Sequence, residues 1–240
     1  MALVGKKMIH YHGTPLTPRE QLYKMAGKHF CVSFADARDA DLCLQIGQSI
    51  MWDNGAFTSY TQNKQIDYNK LYAWLEPKLG HPHWCVIPDV IGGSIKDNKK
   101  LLLQHPFPEN LSSPVWHLNL NIDYLLFLTD RYPKICFGSS GEYWKVGSDK
   151  WCNRIDEAFN ELAKKHRHLP HIHMLRGLAQ AGKKYPFASA DSVNVARNYK
   201  DKNLCPELMA RKIDAIQCPV KWVQQPTQQQ LKVIGETLWQ

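Results

Sequence analysis

The chain has 240 residues, 44% hydrophobic and 22% charged, a length and balance that one hydrophobic core can serve and that exclude extended disorder. No unbroken apolar run exceeds five residues, far short of the roughly 20 of a membrane-spanning helix, so no membrane span is predicted. Thirty Lys and Arg against 22 Asp and Glu leave a formal charge of +8, which points to an anionic partner, with nucleic acid the first candidate and a basic surface that merely keeps the chain soluble the alternative.

Strand-like and helix-like segments alternate almost from end to end. Strands are predicted at 7–12, 29–34, 49–53, 84–88, 115–119, 135–138, 172–175 and 187–190. Helices are predicted between them at 18–26, 37–46, 68–79, 95–104, 122–131, 150–168 and 178–184. Asp67 can cap the 68–79 helix, whose stripe is Leu71, Leu75 and Leu79; Gly80 stops it, and Pro77 kinks its last turn. In 150–168 the core face is Trp151, Ile155, Ala158, Phe159 and Leu162, and the cluster Lys164-Lys165-His166-Arg167-His168 follows at the carboxyl end, where cations suit the helix dipole. Eight strand–helix units predict a single (β/α)8 barrel over about 7–198, with an open doubly wound sheet as the alternative. An extension over 199–240 is predicted to carry helices at 206–217 and 228–239.

The seven cysteines, at 31, 43, 85, 136, 152, 205 and 218, form no CxxC pair, so a disulfide scaffold and a four-thiolate zinc site are both disfavoured and reduced, packed thiols are expected. The segment from Met1 to Lys7 lacks the pattern of a secretory signal, which predicts a cytoplasmic protein.

A barrel places its chemistry at the carboxyl ends of its strands. Three aspartates follow apolar runs directly: Asp53, Asp89 and Asp191. Strands four and eight lie opposite in an eight-strand ring, which sets Asp89 and Asp191 across a pocket with Asp53 between them. Each could instead cap the helix that follows it. Strand five ends in His117 and Asn119, on one face. Strand six ends in the small-residue loop Gly138-Ser139-Ser140-Gly141, which lets backbone amides approach a ligand but lacks the spacing and lysine of a phosphate-binding loop. A rival constellation is His10, His12, His117 and Asp191, similar to the ligand set of metal-dependent amidohydrolases. It is incomplete, because strand six ends without a histidine and Asp89 stands where a bridging lysine is expected.

At these carboxylates the chain resembles the queuine/archaeosine tRNA-guanine transglycosylase superfamily. Asp53-Asn54-Gly55-Ala56-Phe57 resembles the family's Asp-Ser-Gly-Gly-Phe segment, Asp89 its base-recognising aspartate, the stretch from Asp191 to Asn198 its Asp-Cys-x-x-Pro-Thr-Arg segment, and Gly138 to Gly141 its glycine loop at the base pocket. The resemblance implies a nucleophile at Asp191, acid/base chemistry at Asp53, and base binding by Asp89 and the loop Gly138, Ser139, Ser140 and Gly141; His117 and Asn119, from their shared face on strand five, are expected to offer the base further donors and acceptors. The family's CxCxxC-plus-His zinc subdomain is missing, since only Cys205 and Cys218 follow Asp191. That makes the chain most similar to the phage-associated branch that installs 7-deazaguanine bases in DNA.

The resemblance implies replacement of guanine in DNA by a free 7-deazaguanine, such as a cyano- or aminomethyl-deazaguanine, in the cytoplasm (the host's, for a phage protein). The cysteine spacing and the incomplete histidine set predict no metal, and a base swap requires no cofactor. Transfer RNA is the alternative polymer, and a barrel that binds nucleic acid without catalysis is the non-enzymatic alternative. Phosphate contacts are expected from Lys183, Lys184, Arg197 and Lys200, and from Arg176 at the end of strand seven, which could equally be an ordinary salt-bridged arginine.

Overall fold

A computed structural model describes residues 5–201 and 203–226. Its strands are β1 (Gly5–Lys7), β2 (Ile9–Gly13), β3 (His29–Ser33), β4 (Ser49–Asp53), β5 (Trp84–Val86), β6 (Ser112–Ser113), β7 (Val115–His117), β8 (Lys134–Gly138), β9 (His171–Met174), β10 (Ser189–Ser192) and β11 (Gln217–Pro219). The helices are α1 (Ala40–Ile46), α2 (Ala56–Thr61), α3 (Tyr68–Leu75), α4 (Ile95–Gln104), α5 (Ile122–Arg131), α6 (Asp149–Lys165), α7 (Asn194–Asn198) and α8 (Pro206–Asp214).

Nine strands form one parallel sheet in the order β6-β5-β4-β3-β2-β10-β9-β8-β7. Its two end strands are neighbours in the chain, separated by Pro114 alone, so the sheet curls into a nearly closed barrel. Proline has no N–H to give a ladder, and the pairing changes sides there. Residues before it pair with β5 and those after it with β8, while the Pro114 carbonyl still accepts from Cys136 N at 2.9 Å.

Alternate residues point into the barrel, where Tyr11, Met51, Trp84, Val86, Val115 and Cys136 make a core cluster. The other face of the strands packs against the helices. On α6, Trp151, Ile155, Ala158, Phe159 and Leu162 are all buried, as their spacing predicts, each large side chain contributing about 1.5–3 kcal/mol. Side-chain caps start the long helices: Asp67 accepts from Lys70 N as its position predicts, Asn121 accepts from Tyr124 N, Ser148 from Trp151 N, and Ser94 forms a capping box with Asp97.

Several predicted elements are corrected. The 7–12 strand is two strands, and the last strand of the barrel runs from Ser189 rather than 187, so Asp191 lies on it instead of after it. The 18–26 and 178–184 helices are 3-10 turns over Arg19–Met25 and Gly177–Gln180, and the 37–46 helix begins at Ala40. Pro77 turns the end of the 68–79 helix into a 3-10 turn, Glu76–Lys78. The 206–217 helix ends at Asp214, and Gln217 opens β11, which pairs antiparallel with β1 at the strand-start end of the barrel. The predicted 228–239 helix lies outside the described residues. All seven cysteines are free thiols, four of them buried. Among the described residues, no helix is long and apolar enough to cross a membrane.

Candidate active site

Parallel strands bring their carboxyl ends to one rim. Asp53 ends β4 in register with Ser33 on β3, Asp191 sits on β10 opposite Tyr11, and His117 ends β7 opposite Gly138 on β8. A pocket of about 960 Å³ opens there, lined by all three aspartates together with His117, Gly138, Ser139, Ser140, Gly141, Arg176 and Arg197.

Asp53 is fixed by Ser33 Oγ, which donates to its Oδ2 at 2.7 Å, and by Gly55 N at 3.1 Å. That turn needs Gly55 at φ +76°, a left-handed conformation a side chain would strain. Asn54 then points the other way. Its Nδ2 donates to the Ile87 carbonyl at 2.9 Å and to Asp89 Oδ1 at 2.8 Å, tying the Asp53 turn to the second carboxylate. Asp89 Oδ2 faces His117 Nε2 at 2.8 Å.

Asp191 Oδ1 accepts from the Arg176 backbone N–H at 2.8 Å and faces His173 Nε2 at 3.3 Å. The opposite wall is held by Trp151 Nε1 donating to Ser139 Oγ at 2.9 Å and by Ser140 Oγ donating to Asn119 Oδ1 at 3.0 Å. Gly138 has no room for a side chain, because a Cβ there would lie 2.9 Å from His117 Nδ1.

The carboxylates are tuned in opposite directions. Burial pushes Asp53 up to about 6; the Ser33 hydroxyl offsets part of the shift, and the negative neighbours Asp191 and Asp89 add to it. Burial also acts upward on Asp191, but the donors His173 and Arg176 N–H outweigh it and hold the carboxyl below its ordinary range. Burial lowers the pKa of His173, so it serves Asp191 as a neutral N–H donor. At neutral pH the pocket thus pairs an ionised Asp191 with an Asp53 that exchanges its proton close to that pH.

Some sequence-assigned residues do not reach the pocket. Asn119 is exposed on the turn after β7 and touches it only through Ser140. Lys183 and Lys184 precede β10 and lie at the strand-start end, next to Gly182, whose N–H donates to Cys218 on β11. Lys184 is there paired with Asp156 at 2.7 Å. Lys200 is exposed but does not line the pocket. Their order in the chain already separates them: Lys183 and Lys184 come before strand eight and so sit at its start, whereas Lys200 comes after it.

Arg176 does reach the mouth, with its guanidinium 4.2 Å from the Phe57 ring centroid and Nη2 3.1 Å from the Ser139 carbonyl rather than on a carboxylate. His10 and His12 lie on the helix-facing side of β2, bonded to Ser192 and Asp214, so the amidohydrolase ligand set is not assembled. Among the described residues, no group of three or more His, Cys, Asp and Glu side chains is placed to hold a metal ion. The sequence reading missed Ser33, Asn54 and His173. The last could have been found from its two-residue alternation with His171 and Leu175 on one strand face.

Comparison with known proteins gives no match to any family model, any curated protein or any solved structure.

Proposed function

We propose that this chain is a base-exchange transglycosylase that replaces guanine in DNA with a 7-deazaguanine. The observation that carries the proposal is the convergence of Asp53, Asp89 and Asp191 on one pocket at the strand ends, and the opposite directions in which burial and hydrogen bonds shift Asp53 and Asp191 suit them to the acid and nucleophile of glycosidic chemistry. Asp191 attacks C1′ as the C1′–N9 bond breaks, and Asp53 gives its proton to the departing guanine. The incoming base then loses its N9 proton to Asp53 and attacks C1′, breaking the aspartyl ester. Two displacements preserve the sugar configuration, and no cofactor or energy source enters the balance.

Asp89 recognises the base. Its oxygens each keep a free lone pair beyond the bonds to Asn54 and His117, and together they match the N1–H and exocyclic amine of guanine or a deazaguanine. The Gly138–Gly141 loop forms the facing wall, open to close approach because Gly138 carries no side chain. The nearly closed sheet is read as a (β/α)8 barrel whose fifth strand is interrupted at Pro114. DNA rather than tRNA rests on the missing zinc-binding cysteine pattern, and cytoplasmic action follows from a nucleic-acid substrate. The intact and differently tuned carboxylates argue against a barrel that only binds.

The test is DNA and tRNA carrying labelled guanine, challenged with free cyano- and aminomethyl-deazaguanine. Release of label from DNA on addition of either base is the expected result. No release from either polymer would overturn the proposal.

A further inference from the structure

The rim of the pocket carries a feature that base exchange itself does not use. Three of its lining side chains are large aromatics turned to solvent: Trp144 is 71% exposed, Tyr60 61% and Phe57 50%. They come from two separate places on the mouth, Phe57 and Tyr60 from α2 after β4, and Trp144 from the turn that follows β8. Arg176, from the end of β9, lays its guanidinium over the Phe57 ring. A buried Trp, Tyr or Phe stabilises a fold, so rings left in water around one opening are surface held for something else.

We infer that this rim is a stacking platform for unpaired bases of single-stranded DNA on either side of the exchanged nucleotide; the inference rests on the base-exchange reading of the pocket. Aromatic faces together with arginine bind unpaired bases by stacking, without regard to sequence, because every base has a π-face. A duplex offers no such faces at its sides. It presents hydrated phosphates, and these call for a broad cationic surface. The mouth does not match that demand, since Lys183 and Lys184 lie at the opposite end of the barrel and, of the five cations singled out in the sequence, only Arg176 and Arg197 line the pocket. An unpaired strand also spares the cost of extruding the target base from a helix before it can descend to Asp191.

The test is fluorescence anisotropy with a short guanine-containing oligodeoxynucleotide carrying fluorescein, alone and annealed to its complement. It is run on Asp191→Ala protein, so that no covalent step contributes. Single strands are expected to bind at least about tenfold tighter than the duplex. Trp144→Ala and Tyr60→Ala are each expected to weaken single-strand binding by roughly 5- to 100-fold, with duplex binding unchanged and Trp144→Phe retaining most of the affinity. Both side chains are mostly exposed, so the substitutions leave the core intact. Equal or tighter duplex binding, or single-strand binding indifferent to both alanine substitutions, overturns the inference.

Base exchange is scored separately on the protein with Asp191 restored. Aromatic-dependent single-strand binding without any release of guanine upholds the platform and removes the base-exchange reading. Exchange that runs on duplex as fast as on single strands, untouched by Trp144→Ala, removes the platform and leaves that reading standing.

Discussion

His173 places its Nε2 3.3 Å from Oδ1 of Asp191, and its Nδ1 lies 2.8 Å from Ser189 Oγ, which is itself 2.7 Å from His171 Nε2. A carboxylate only accepts, so Nε2 carries the proton, Nδ1 accepts from the Ser189 hydroxyl, and that hydroxyl accepts from His171. The chain runs along the inside of the barrel toward the mouth and orients the donor under the Asp191 carboxylate. His173 is a positioning residue, and its loss should act on Asp191 through its pKa. His173→Phe is expected to lower kcat about 10- to 100-fold with little change in KM, and to move the acid limb of the pH profile upward. His173→Gln, whose amide N–H reaches the same place, should restore part of the rate. An unmoved acid limb in the Phe variant would show that the histidine only fills space.

For Asp191 itself the expectation is sharper. Asp191→Ala and Asp191→Asn should both abolish base exchange while leaving fold and DNA binding nearly intact, because a mouth carboxylate acts on the reaction far more than on the core. The unsubstituted protein should trap a denaturation-resistant adduct with guanine-containing DNA. Normal turnover by either variant would remove Asp191 from the role of nucleophile.

Asp53 links pH to both rate and stability. Release of guanine needs Asp53 protonated, so the rate should fall as pH rises through about 6. The same shift has a stability consequence with a definite sign. Between the unfolded value near 3.8 and the folded value of about 6 the native state binds more protons than the unfolded chain, so stability declines as pH rises through that window. Asp53→Asn keeps the geometry and removes the buried charge. It should be inactive yet more stable than the parent by roughly 3 kcal/mol at pH 8, a gain that shrinks to about 0.5 kcal/mol at pH 4. Thermal unfolding at the two pH values checks this, and an equal difference at both would contradict the raised pKa.

The elements legible in the sequence were those with two agreeing signals. Helices 95–104 and 122–131 have caps as well as an apolar period, and α4 and α5 occupy those residues. The 49–53 strand ends at Asp53 as its polar stop suggests. Where one signal stood alone, the reading slipped. Phe187 is apolar because it packs with Phe159 and Tyr185 on the helix side, not because it belongs to a strand, and the ladder with β2 continues through the polar Asp191 and Ser192. The short α2 and α7 complete too few turns to show a period. The three aspartates were found because each ends an apolar run. Asn54 and Ser33, which hold two of them, belong to no hydropathy pattern, and only register brings Ser33 beside Asp53.

A metal requirement is expected to be absent. Elemental analysis of the purified protein should find no stoichiometric zinc, and chelators should leave base exchange unchanged. One tightly held zinc per chain, with activity lost on chelation, would favour the hydrolase set. His10 and His12 would then have to leave the helix-facing side of β2 and cross the sheet, abandoning Ser192 and Asp214.

The last expectation concerns the polymer and the cations that hold it. Phosphate contacts release counterions, so DNA affinity should fall with salt, and each contact removed from a duplex should reduce the log–log slope by about 0.9, or about 0.7 on a single strand. Arg197 lines the pocket and is exposed, whereas Lys183 and Lys184 lie at the other end of the barrel. Arg197→Glu is therefore expected to weaken DNA binding and lower the slope before it alters chemistry on bound DNA. Charge reversal at Lys183 and Lys184 together should leave both unchanged, although loss of the Lys184–Asp156 pair can cost a few tenths of a kcal/mol in stability. If the lysine variant loses binding and the arginine variant does not, the polymer lies on the far end and the pocket is not its site. If labelled guanine leaves tRNA efficiently but never leaves DNA of any strandedness, the assignment of DNA is wrong, while the roles of Asp191 and Asp53 survive.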